Sequence, residues 1–147
     1  MTFKLLLILH LIGSAIWVGG HLILFVTILP KALRLKDPEV ISAFESRYEK
    51  IGVPALILQV VTGLWLADFY LNSIFDAFSF RDSLHTLIAI KIILLSATLI
   101  IAVHARVRLI SKLTNDNLTF LAWHISTITI LGLLLLILGA GIRSGGF

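Results

Sequence analysis

Apolar positions along the chain fall into four long blocks separated by short polar stretches, with no alternation of period two. A hydrocarbon core about 30 Å thick takes roughly 20 helical residues to cross. Blocks at residues 3–29, 51–71, 84–107 and 118–142 meet that length. The pattern therefore predicts an all-α fold, an integral membrane four-helix up-down bundle that uses residues 1–147 as a single domain. The first block is too long and too evenly apolar for a cleaved signal peptide, whose core spans about 7–15 residues, and is expected to be a retained span. The polar stretch KALRLKDPEVISAFESRYEK (31–50) is expected to be a partly helical loop at the membrane interface.

Composition agrees with this reading. Of the 147 residues, 59% are hydrophobic and 14% charged, against about 25% charged in soluble domains, and mean hydropathy is +1.05. A soluble domain is excluded. There is no cysteine, which removes disulfides, thiolate metal sites and iron–sulfur clusters and leaves imidazole, amine and oxygen groups as metal ligands, Met1 being the one thioether.

The formal charge is +4 and the isoelectric point near 9.8. Lys31, Arg34, Lys36, Arg47, Lys50, Arg106, Arg108 and Lys112 follow spans one and three, whereas Lys4, Arg81 and Arg143 lie toward the other side. Cytoplasmic loops carry the excess of Lys and Arg, so both termini are expected to face away from the cytoplasm in a bacterial-type inner membrane. The charge needs no nucleic-acid partner to explain it.

All five histidines lie in the blocks or at their ends, and none in the long first loop. A polar ring in lipid needs a partner and marks a candidate functional site. His10 and His21 share one helical stripe about 16 Å apart along the axis, with Ser14 and Trp17 on it and Gly13 and Gly20 beside it. Gln59, Thr62 and Gly63 form a small polar face on span two that should point inward. Depth bookkeeping groups His21, His104 and His124 toward the basic side, and His10, Lys91 and His85 toward the other. Asp68 is the acidic residue placed to pair with Lys91. The plainer roles for these residues are hydrogen bonds between helices for the histidines, packing or interfacial anchoring for Trp17, Trp65 and Trp123, and snorkelling for Lys91.

A b-type haem needs axial ligands at matching depth, a slot free of bulk, and cations near its propionates. His21 with His104 or His124, and His10 with His85 or Lys91, offer ligands for one or two haems. The expected function is accordingly haem-based electron transfer, quinone-linked, with imidazole-based copper handling as the alternative. The sequence does not separate an enzyme from a carrier. Expected partners are membrane lipids, a quinone or redox partner, and further copies of the chain.

Short motifs add a resemblance. LHLIGSAIWVGGHLIL in span one, VVTGLWLA in span two, KIILLSATLIIAVHARVRL in span three and the closing LILGAGIRSGG resemble the membrane domain of the copper-resistance protein D family. They are also similar to the four-helix protoporphyrinogen oxidase of bacterial haem synthesis. The resemblance places His10, Trp17, Gly20, Lys91 and His104 at motif positions. The oxidase likeness implies haem b on His10 and electron transfer to quinone, and the copper family implies copper uptake or tolerance.

Overall fold

The computed structural model describes residues 2–71 and 73–144, and each expected span is a helix. We number them α1 Thr2–Leu35, α2 Glu39–Tyr70, α3 Ser83–Lys112 and α4 Asn115–Ser144. Among the described residues there is no strand, and all four helices are long and apolar enough to cross a membrane. The junctions after α1 and α3 mark what we call the basic end; the termini and the α2–α3 connection mark the opposite, terminal end.

The largest departure from expectation is α2, which starts at Glu39 rather than near residue 51. No breaker interrupts residues 39–50, so the polar stretch continues the helix and the expected loop shrinks to residues 36–38. Lys36 closes α1 in the left-handed conformation, φ 50°, and the Asp37 carboxylate accepts the Glu39 amide at 3.0 Å. Within α1, residues Leu24–Ile28 form a wider π turn. Pro30 follows it, and a proline cannot donate to the carbonyl four residues back. In membrane helices a local π adjustment of this kind re-satisfies the backbone groups that a proline frees.

Several serine and threonine hydroxyls in the spans bond within their own helices, since no water is available there. Thr98 donates to the Leu94 carbonyl at 2.7 Å and Thr129 to that of Ile125 at 2.8 Å. Large apolar side chains cover the outside, as lipid permits: Ile100 is 70% exposed and Trp123 69%.

Helix α1 packs along α2 and against α4, and α3 packs on α4. Gly13 sets the α1–α2 distance, because a Cβ there would stand 2.9 Å from the Ala55 carbonyl oxygen. Small residues allow this kind of close approach between membrane helices. The core is continuous at the basic end, around Leu24, Ile41, Leu109, Leu121 and Ile125. A middle layer holds Trp17, Val18, Ala55 and Ile128. Helices α2 and α3 make no extended contact, and this leaves the terminal half of the bundle incompletely filled.

Candidate functional site

A cavity of about 430 Å³ occupies that half. His10 and Ser14 of α1, Gln59 and Gly63 of α2, Lys91 of α3 and Gly139 of α4 bring its polar and small groups together; the other walls are mainly aliphatic. His10 Nδ1 lies 2.9 Å from the Gln59 carbonyl oxygen and 3.1 Å from Thr62 Oγ1. The Thr62 hydroxyl spends its own proton on the Leu58 carbonyl at 2.6 Å. Both neighbours of Nδ1 therefore accept, so Nδ1 carries the hydrogen and Nε2 is left with a lone pair. Gln59 Oε1 is buried and, among the described residues, has no hydrogen-bond partner. The cavity thus offers two unfilled electron-pair donors.

Lys91 reaches across to α4, where a Cβ on Gly139 would lie 3.3 Å from Nζ. The expected Asp68–Lys91 pair does not form: Asp68 is exposed and makes no ion pair, and Lys91 has no acidic partner among the described residues.

At the basic end the histidines are arranged differently. His104 and His124 stack, with ring centroids 5.0 Å apart and planes at 20°, and His104 Nδ1 lies 2.9 Å from His124 Nε2. His124 Nδ1 lies 3.0 Å from the Phe120 carbonyl oxygen. The carbonyl fixes the order: His124 donates to Phe120, His104 donates to His124, and only His104 Nε2 is left over. His21 is held apart from this pair. Its Nδ1 donates to the Trp17 carbonyl at 3.0 Å, which also accepts the Tyr48 hydroxyl at 2.9 Å. The Tyr48 ring meets His21 edge-on at 6.0 Å.

His85 belongs to the start of α3. Asp82 caps that helix, accepting the His85 amide at 2.9 Å and the His85 ring at 2.7 Å. These two bonds, the amide first, hold the Asp82 carboxyl below its ordinary value. Arg81 lies 3.4 Å from His85 Nε2 and donates to it. In all five histidines Nδ1 is engaged, and in His10, His21 and His104 Nε2 is left as an open imine. A metal-binding imidazole typically has this form, one nitrogen pinned by an outer acceptor and the other presented as ligand.

Depth alone predicted a cluster of His21, His104 and His124; the structure joins the last two and places His21 against Trp17 and Tyr48. Among the described residues no group of three or more His, Asp or Glu is placed to hold a metal ion. His10 and Lys91 do share one cavity, and His85 does not line it. Trp17 is buried in the middle layer, and Gly20 makes room for the Tyr48 ring, with which a Cβ would collide; both are packing positions. The side chain of Arg143 lies outside the described residues. Sequence reasoning overlooked Gln59 as a site residue although its polar face was visible and expected to point inward, because no ligand role was attached to that face. Tyr48 was missed because residues 31–50 were read as interfacial loop.

Fold and site together define a multi-pass membrane protein with imidazoles set between its helices. Residues 42–142 match the family described as CopD, copper resistance protein D, and the chain belongs to that family. No curated protein and no solved structure matches it. The family match does not bear on the protoporphyrinogen oxidase resemblance.

The match overturns the haem-based, quinone-linked electron transfer expected from the sequence and favours copper, the alternative. The geometry supplies a physical reason. His104 and His124 bond to one another instead of facing across a slot, His21 is closed in by Tyr48, and His85 is occupied by Asp82 and Arg81. Three of the four ligand pairs foreseen for haem therefore do not assemble.

Proposed function

We propose that this protein handles copper in the membrane, taking Cu(I) as cargo in the terminal-end cavity as part of copper uptake or tolerance. The observation that carries the reading is His10, whose Nε2 stands open beside the unpartnered Gln59 Oε1. Imidazole is a good copper ligand and the lack of a carboxylate suits a monovalent ion, with the Gln59 carbonyl, a hard oxygen, serving as the weaker second donor. Lys91 lines the same space. When charged it opposes a divalent ion twice as strongly as a monovalent one at equal distance. The excess of Lys and Arg at the basic end supports a reading with that end in the cytoplasm of a bacterial-type inner membrane and both termini outside.

The test is Cu(I) binding and uptake by the purified protein in liposomes. His10→Ala is expected to lower copper affinity on the order of 100-fold, about 2.8 kcal/mol. Undiminished binding and uptake by the His10→Ala protein would sink the proposal.

A further inference from the structure

A second cavity, of about 560 Å³, lies at the basic end between α1 and α2. Its walls include Ile28 and Lys31 of α1 and Val40, Phe44, Arg47 and Ile51 of α2. One wall is fixed in place: Phe44 stacks on Tyr48 with centroids 5.4 Å apart and planes at 20°, and the Tyr48 hydroxyl donates to the Ile16 and Trp17 carbonyls at 3.1 and 2.9 Å. No acidic residue lines the cavity. Lys31 and Arg47 have no ion pair among the described residues, while nearby Glu49 is committed to Arg106 at 2.5 Å.

Height along the bundle says what meets this cavity. From Lys4 to Lys31 helix α1 rises about 40 Å, the thickness of a bilayer with its headgroups. Lys31 therefore stands at the phosphate level, and Arg47 lines the same cavity from the facing helix, deeper along the bundle. Two cations without an ion pair among the described residues, one at that level and one on a side chain long enough to extend toward it, line a single cleft walled by Ile28, Val40, Phe44 and Ile51. Basic pockets between membrane helices recognise anionic lipid headgroups in this way. We infer that the cleft between Lys31 and Arg47 is a binding site for an anionic phospholipid, its phosphate held by the two cations and its upper acyl chain lying on the apolar wall.

Native mass spectrometry of the purified protein, titrated with phosphatidylglycerol and phosphatidylcholine, tests this independently of copper. The wild type should prefer phosphatidylglycerol, and Lys31→Gln with Arg47→Gln should reduce that preference roughly tenfold or more. The charge-keeping exchange Lys31→Arg with Arg47→Lys should preserve it and show that the fold tolerates change at both positions. Arg34→Gln with Lys36→Gln, which removes two charges outside the cleft at the same end, should also preserve it. The inference fails if the Lys31→Gln, Arg47→Gln protein keeps its preference, or if the Arg34→Gln, Lys36→Gln protein loses it equally. It also fails if inorganic phosphate alone displaces the lipid fully, since the site would then take a free anion.

Discussion

The two ends of the bundle use the same residue types to opposite effect. At the terminal end α2 and α3 stay apart, and His10, Gln59 and Lys91 meet around a cavity with electron pairs unspent. At the basic end the helices close on a continuous core, and His104 and His124 spend their hydrogen bonds on each other and on the Phe120 carbonyl. An intramembrane histidine is thus a signal of a needed partner, and packing decides whether that partner is protein or ligand.

Filling the cavity gives the largest expected contrast. A Cβ on Gly63 would stand 2.9 Å from His10 Cε1, so Gly63→Val must push the ring off the Gln59 carbonyl. Copper affinity is expected to fall about as far as in His10→Ala, on the order of 100-fold, with every donor atom still in the chain. Isothermal titration with Cu(I) would show this, and an unchanged affinity would mean that the position of the His10 ring does not matter.

Gln59→Leu separates ligand from scaffold. Removing a buried acceptor that has no partner relieves a cost of about 1–3 kcal/mol, so thermal stability in detergent should hold or rise. Copper affinity should nevertheless drop roughly tenfold. A loss of stability with no loss of affinity would make Gln59 a packing residue.

At the closed end His124→Phe removes one interhelical hydrogen bond, worth about 0.6 kcal/mol in comparable membrane proteins. Unfolding in detergent should register that small loss while copper binding at the cavity stays unchanged. A large drop in copper binding would show that the two ends are coupled.

The smallest effect belongs to the exposed cap of α3. With the Asp82 carboxyl held below its ordinary value, the cap is fully present above the usual carboxylate range. It is lost only as pH falls through the lowered value. Hydrogen exchange at residues 84–86 should stay slow through mildly acidic pH and quicken below it, and Asp82→Asn should flatten that dependence.

Much of the architecture could be read from the chain because bilayer thickness turns an apolar run directly into a helix of known length. Span four was placed within three residues at each end and spans one and three within one residue at their starts, whereas the helices of the latter two run about five or six residues past their expected ends, to Leu35 and Lys112. The start of α2 was not, because polarity marks where lipid ends and not where a helix ends, so residues 39–50 looked like a loop. For the site, periodicity and depth brought His10 and Lys91 to one level, and they share a cavity. The same bookkeeping joined His21 to His104 and His124, since depth carries no information about which helices touch.

What the amino-acid sequence determined by itself is a four-span membrane protein with its histidines inside or at the ends of the spans and its cations mainly at one end. Hydropathy and charge act residue by residue and need no partner to be counted. Only the tertiary structure decided that Gly13 draws α1 onto α2 and that Tyr48 closes over His21. It also decided that α2 and α3 part beside His10 and that Gln59 Oε1 is left without a donor. Those outcomes depend on which surfaces meet, and the packing of side chains between helices settles that.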